Sequence, residues 1–236
     1  MSVFHFQRFD VENTASAMKL GTDSVLLGAC APIPPGVKNV LDVGTGTGVV
    51  ALMTAQRLSA LAGDFHIDGI DIDAPSAEEA EGNFARSPWR EHLAAFTCPL
   101  ALWQGGLYDL IVSNPPFFDN SLLNPNERES AARHTLSLSY RDLCEYASEH
   151  LTPGGVLSMV LPSDVEKALC RVAASFSLFP LECVRVQTVQ SKPSKRIVIS
   201  FSRHPGVRKD RALVMMENGA YTSQYRELVA SFLVNL

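Results

Sequence analysis

A chain of 236 residues is long enough for one sizeable α/β domain and short for two. Its 46% hydrophobic and 19% charged residues describe a packed globular protein and exclude a disordered one. A net charge of −5 argues against a surface that coats nucleic acid broadly, so any such contact has to be local. The longest apolar runs, such as Val156 to Leu161, fall far short of a bilayer span. Met1 to Asp10 has no basic-then-apolar leader pattern; Phe4, Phe6 and Phe9 alternate with polar residues instead. Five cysteines (Cys30, Cys98, Cys144, Cys170, Cys183) form no CxxC pair, which points to reduced, mostly buried thiols rather than a zinc site or a disulfide framework. The expectation is a cytoplasmic protein with no membrane and no metal partner, most simply a monomer.

In chain order, Met18 to Ala31 predicts a short helix, closed by Pro32, Pro34 and Pro35. Apolar segments Asn39–Val43, His66–Ile72, Ala94–Thr97, Tyr108–Ser113 and Val156–Leu161 predict strands, with helices over Val49–Leu61, Ala74–Ala85 and Tyr140–Leu151 between most of them. Alternation of this kind implies βαβ crossovers and a parallel sheet covered on both faces. A helix over Asp164–Ser175 then leads to two β-like segments, Leu181–Val189 and Arg196–Arg203. Their short Ser-Lys-Pro-Ser connection suits a hairpin, expected as an antiparallel edge. Tyr225–Leu233 predicts a final helix. Trp89 and Trp103 are expected to pack inside rather than to stack on a base.

The stretch Leu41-Asp42-Val43-Gly44-Thr45-Gly46-Thr47-Gly48 follows a strand and opens a helix, the context a nucleotide-binding turn needs. Glycines there let the backbone turn sharply and let a ligand approach where a Cβ would collide. A dinucleotide fingerprint would place its third glycine where Val49 stands; here it is Gly48. Asp42 would also repel a pyrophosphate, so a ligand with an ammonium group and no phosphate fits better. The second strand ends Gly69-Ile70-Asp71-Ile72-Asp73. Asp71, with Ile72 beside it, is the candidate to accept both hydroxyls of a ribose, whereas Asp73 precedes Ala74-Pro75 and looks like a helix N-cap.

Tyr108 to Ser113 runs straight into Asn114-Pro115-Pro116-Phe117. Two prolines hold the backbone extended and supply carbonyls without competing N–H groups. The Asn114 side-chain carbonyl and the Pro115 carbonyl can both accept from one NH₂ group, turning its lone pair toward an electrophile while Phe117 stacks on the ring behind it. With the reacting groups aligned, positioning alone supplies several kcal/mol, about 7–11 in the best intramolecular cases.

Together, the Asp42–Gly48 loop, Asp71 and Asn114-Pro-Pro-Phe resemble the amino-methyltransferases that modify adenine N6, guanine N2 or glutamine amides. More narrowly, Phe9-Asp-Val, Ala17-Met-Lys-Leu-Gly-Thr-Asp-Ser-Val-Leu-Leu-Gly-Ala, Ser87-Pro-Trp, Ala132-Arg-His and Tyr221-Thr-Ser-Gln-Tyr-Arg-Glu-Leu resemble the bacterial tRNA1(Val) adenine-37 N6-methyltransferase family. The resemblance implies a Rossmann-like class I methyltransferase fold, mostly parallel with a C-terminal antiparallel hairpin. It implies one methyltransferase domain over 1–236, comprising an N-terminal cap (1–37), a core (38–203) and a C-terminal extension (204–236). The cofactor would be S-adenosyl-L-methionine, held by Asp42, Gly44, Gly46, Gly48, Asp71 and Ile72, with Lys19, Thr22 and Asp23 helping to close the site. The substrate would be an anticodon-loop adenine of a tRNA. Many relatives carry an acid after the third strand to contact the cofactor's adenine; here the stretch reads Thr97-Cys98-Pro99.

Lys192, Lys195, Arg196, Arg203, Arg208, Lys209 and Arg211 lie close in sequence against a single acid, Asp210. Of these, Lys192, Lys195, Arg196, Arg203 and Arg208 are candidates to hold tRNA phosphates. Arg133 and His134 follow the Asn-Pro-Pro-Phe motif in a loop that could fold over a substrate, although a lone histidine is more often structural. Rival readings are a DNA adenine, rRNA guanine-N2 or release-factor glutamine methyltransferase, and a non-catalytic RNA-binding protein on the same fold. A DNA enzyme usually adds a target-recognition domain, and the glutamine enzymes an N-terminal helical domain.

Overall fold

A computed structural model of the protein describes residues 2–61, 63–116 and 138–234. A small antiparallel pair, β1 (Val3–His5) and β2 (Asp10–Glu12), precedes helix α1 (Thr22–Cys30). The alternating part follows as β3 (Asn39–Val43), α2 (Val49–Ser59), β4 (His66–Asp71), α3 (Ala74–Ala85), β5 (Leu93–Thr97), β6 (Tyr108–Ser113), α4 (Tyr140–His150), β7 (Leu151–Pro162) and α5 (Glu166–Ser175). The chain closes with β8 (Phe179–Val189), β9 (Arg196–Ser202), β10 (Lys209–Glu217), β11 (Ala220–Tyr221) and α6 (Ser223–Val229).

Nine strands join one sheet in the order β11-β10-β8-β9-β7-β6-β3-β4-β5. Strands β3 to β7 run parallel, so their carboxyl ends share one edge of the sheet. The period-2 alternation of side chains divides the core into two layers. Val40, Leu110, Val112, Val156, Val160 and Val198 point to the face covered by α1, α2, α3 and α6. Leu41, Ile111, Leu157, Met159, Ile197 and Ile199 point to the face covered by α4 and α5. Strands buried on both faces read as unbroken apolar runs, which is why these segments were legible.

The predicted hairpin forms, but it is not the edge. Strand β9 slots antiparallel between β7 and β8, and β10 and β11 extend the sheet beyond β8. The crossover through α5 sets β8 one strand-width away from β7, and the returning β9 fills that gap. Strand β10 escapes sequence reading because its first four residues, Lys209 to Ala212, are exposed and mostly charged. The strand predicted over Val156–Leu161 is longer, beginning at Leu151, which had been read as helix. Helix α1 starts four residues later than expected, because Gly21 is fully extended at φ −144°.

Around the N-terminal hairpin, Phe6 stacks on Phe9, and Phe9 meets Trp89 edge-on at 5.9 Å between centroids. The Arg8 guanidinium lies over the same indole. Trp89 is therefore a packing residue. Trp103 packs on Phe96 and donates to the Tyr108 hydroxyl. No described helix is long and apolar enough to cross a membrane.

Candidate active site at the carboxyl edge of the sheet

The turn from β3 into α2 carries Gly44, Gly46 and Gly48 at φ +70°, +56° and +79°, a region that L side chains rarely enter. Gly44 and Thr45 donate their N–H groups to the Ile70 carbonyl, binding the turn to β4. Gly46 N–H donates to Asp71 Oδ2 at 2.9 Å, and Asp71 Oδ1 accepts from Asp73 N–H at 2.9 Å. Burial raises the Asp71 carboxyl above its ordinary range, and those N–H donors oppose the rise. Asp73 is the N-cap of α3, accepting from Ser76 N–H and from the Ser76 hydroxyl.

These elements border a cavity of about 390 Å³. It is lined by Gly44, Gly46, Asp71, Ile72 and Asp73, by Cys98 to Ala101, and by Leu138 and Asp142. Asn114 and Pro116 line it as well, and Ala17 and Met18 of the N-terminal segment complete its cover. Asn114 is held by its amide, which donates to Ser24 Oγ at 3.1 Å and reaches Met18 Sδ at 3.7 Å. Its carbonyl oxygen is buried and has no hydrogen-bond partner among the described residues. One residue upstream, the Ser113 hydroxyl donates to the Val43 carbonyl and ties the end of β6 to β3.

Several expected contacts are placed elsewhere. Asp42 does not line the cavity: it is 1% exposed beneath the turn, where it accepts from the Thr45 hydroxyl and from Ala51 N–H. Burial pushes its carboxyl up to about 7, with the Thr45 and Ala51 hydrogen bonds resisting and the Asp71 charge adding slightly. Gly48 is the left-handed N-cap of α2, and a Cβ there would run into the ring of Phe84, so it is required for packing α2 against α3. Lys19 turns away and donates to the Thr14 carbonyl, Thr22 opens α1 on the exposed surface, and Asp23 pairs with Arg196 at 2.9 Å. Ala17 and Met18, just before them, line the cavity instead. Phe117, Arg133 and His134 lie outside the described residues.

Sequence reading missed what holds that cover in place. Three buried polar residues on one face of α3, namely Ser76, Glu79 and Asn83, bind the backbone of residues 12–17. Ser76 Oγ accepts from Ala17 N–H, and Asn83 exchanges two hydrogen bonds with Glu12. The Glu79 carboxylate accepts from Thr14 N–H and hydroxyl, Ala15 N–H and Ser16 N–H. Burial alone would raise the Glu79 carboxyl, but those donors outweigh it and hold it below the ordinary carboxylate range. Polar residues spaced at helical intervals among Ala77, Ala80 and Phe84 were the visible signal. Their partner, a segment far away in sequence, was not.

The basic stretch is divided by the fold. Lys192, Lys195 and Arg196 sit at the β8–β9 turn, at the same edge of the sheet as Asn114, since Arg196 pairs with Pro162 at the carboxyl end of β7. Arg203 follows the other end of β9, roughly 20 Å away at a strand's rise, and donates to the Leu151 carbonyl. Arg208 is engaged by Glu166 and Asp210, while Arg211 pairs with Glu182. The expected excess of positive charge is thus offset at Arg208 and Arg211 by acids distant in sequence.

Residues 15–177 match the family model described as methyltransferase small domain. The tRNA1(Val) (adenine(37)-N6)-methyltransferase of Flavobacterium psychrophilum is 34% identical over 99% of this chain and all of its own length. Proteins with the same name from Bacteroides fragilis and Tolumonas auensis are 36% and 35% identical, over 99% of this chain and 98% and 97% of theirs. Among solved structures, an Agrobacterium tumefaciens protein described as a predicted O-methyltransferase superposes with TM-score 0.67 at 16% identity, covering 91% of this chain and all of that one. Geranyl diphosphate C-methyltransferase from Streptomyces coelicolor, solved with S-adenosyl-L-homocysteine, gives 0.54 at 13% identity over 77% of this chain and 76% of that one. At such identities the structures establish the class I methyltransferase fold alone. From its sequence relatives, sharing about a third of their residues over full length, the chain belongs to the tRNA1(Val) (adenine(37)-N6)-methyltransferase family.

Proposed function

We propose that this protein transfers a methyl group from S-adenosyl-L-methionine to the exocyclic N6 of an adenine in tRNA, and that the adenine is position 37 of a valine tRNA. The observation that carries the reading is the Asn114 carbonyl oxygen, buried without a donor among the described residues, on a residue that lines the cavity. A buried acceptor left unpaired costs about 1–3 kcal/mol, so it calls for a donor brought by the substrate. An NH₂ group is such a donor.

The cavity suits the methyl donor on this chain's own residues. Both Asp71 oxygens already accept one backbone N–H each, and a carboxylate oxygen has room for a further donor from a ribose diol. Gly44 and Gly46 line the cavity with bare backbone, and an added Cβ at either would meet nothing closer than 3.4 Å in the protein. When bound, S-adenosyl-L-methionine supplies a methyl group already activated on a sulfonium. The chain's task is then alignment. Asn114 Oδ1 and the Pro115 carbonyl accept the two amine hydrogens, pull the nitrogen out of conjugation with the ring and aim its lone pair. As the N–C bond forms and the S–C bond breaks, positive charge grows on that nitrogen; the same two acceptors would stabilise it until one amine proton is released to water.

Purified protein incubated with S-adenosyl-L-methionine and unmodified valine tRNA should yield N6-methyladenosine at position 37, read by nuclease digestion and mass spectrometry. Asn114→Ala should retain cofactor binding in calorimetry and lose turnover by on the order of a hundredfold or more, as when one group is taken from a transition-state hydrogen-bond site. Near-parental turnover in that variant would refute the assignment. Methyl arriving on guanine N2 would redirect the substrate while leaving the chemistry in place.

A further inference from the structure

The amide of Asn114 can lie either way round, because its oxygen and nitrogen are nearly the same size. Only one orientation leaves the carbonyl free for a donor; the other would aim an NH₂ at an NH₂. We infer that Ser24 and Met18 are positioning residues that set this orientation, an inference that rests on the role of Asn114 proposed above. Asn114 Nδ2 lies 3.1 Å from Ser24 Oγ and 3.7 Å from Met18 Sδ, so both hydrogens of the amide have an acceptor. A serine hydroxyl can donate as well as accept, and by itself it would tolerate either orientation. A thioether only accepts. The sulfur of Met18 therefore decides the direction, and Ser24 takes the second hydrogen. What remains is the carbonyl oxygen, buried and without a partner among the described residues, as the acceptor left for a substrate.

Both residues are anchored from outside the site. Ser24 is 8% exposed in the first turn of α1, where its neighbour Asp23 is tied to Arg196 of β9. Met18 follows the segment held by Glu79 and Ser76, and its carbonyl accepts from the Ser16 hydroxyl. Orientation of the Asn114 amide thus depends on two segments that precede the first core strand. That gives Met18, Asp23 and Ser24 of the Met-Lys-Leu-Gly-Thr-Asp-Ser block a task other than touching the cofactor.

Ser24→Ala and Met18→Leu test this, the second keeping the apolar wall of the cavity while deleting the sulfur. Each should lower kcat roughly three- to tenfold, the population equivalent of one hydrogen bond. In Ser24→Ala the KM for tRNA, the Kd for S-adenosyl-L-methionine and the thermal midpoint should stay at parental values. The side-chain amide protons of Asn114, assigned in ¹⁵N-edited NMR by their absence from Asn114→Ala, should shift toward free-amide positions in both variants. Ser24→Cys, close in size with a poor acceptor, replaces Ser24→Ala if the latter folds badly. Parental kcat with unmoved Asn114 amide signals would overturn the inference. So would a joint fall of kcat, cofactor affinity and midpoint in Ser24→Ala, which would mark it as a packing residue. If Asn114→Ala is inactive while Ser24→Ala is unchanged, only this inference fails; if Asn114→Ala itself is active, the underlying assignment fails first.

Discussion

Among single residues, the two aspartates of the cofactor side divide their work by depth. Asp71 reaches the cavity with both oxygens half-engaged, whereas Asp42 is sealed below the turn and organises it through Thr45 and Ala51. That burial has a measurable cost. The Asp42 carboxyl titrates near 7 in the fold against an ordinary 3.8, so the folded state binds the extra proton between those values. Its contribution therefore favours the fold at low pH and is lost as pH rises toward 7. Asp42→Asn removes the charge and keeps an oxygen for Thr45 and Ala51. Its thermal midpoint relative to the parent should be lowest near pH 4, climb by on the order of a few degrees toward pH 7 and then level off. Melting curves of both proteins from pH 4 to 8 check this, and a difference independent of pH would mean that Asp42 is not ionised against such a penalty.

Among the elements, α3 does more than cover the sheet. Its Ala77, Ala80 and Phe84 face the core, while Ser76, Glu79 and Asn83 grip the segment that roofs the cavity. Removing the Glu79 carboxylate would strand three backbone N–H donors and release residues 14–16, at about 1.5–3 kcal/mol for hydrogen bonds to a charged group. Glu79→Ala should lower stability by that order and weaken S-adenosyl-L-methionine binding as well, since Met18 sits directly after the released turn. Calorimetry alongside denaturant melts separates the two effects; unaltered cofactor affinity would show that the cover stays in place without its clamp. Glu79→Gln is a milder case, because one amide oxygen can accept while its NH₂ opposes the neighbouring N–H groups.

For the whole molecule, the order of strands decides which cations can reach a substrate at Asn114. Lys192 and Lys195 stand at the same sheet edge as the cavity, and Arg196 beside them already pairs with Asp23. Arg203 stands at the other end of β9 and is spent on the Leu151 carbonyl, while Arg208 is spent on Glu166 and Asp210. We therefore propose that Lys192 and Lys195 meet tRNA phosphates and that Arg203 and Arg208 hold the fold. Replacing both lysines with alanine should raise the Kd for tRNA and reduce the slope of log K against log salt by roughly 1–2. Arg208→Ala should leave that slope as it was and lower the melting temperature. A slope changed by Arg208 and not by the lysines would reverse the assignment.

The sequence by itself determined the strand-helix alternation, the glycine turn, the N-cap at Asp73, and the placing of Asn114 at a strand's end. Each is a local matter, since apolar period, backbone conformation and capping chemistry are written within a few residues. Tertiary structure decided the rest. It put Asp42 under the turn, assigned Gly48 to the ring of Phe84, and set β9 inside the sheet rather than at its edge. It brought Ser24 and Met18 to the Asn114 amide across some ninety residues and joined Glu79 to Thr14. It also split one basic run between two ends of a strand and set acids beside Arg208 and Arg211. Contacts between distant segments depend on which strands lie side by side and in which direction they run, and no short stretch of residues carries that information.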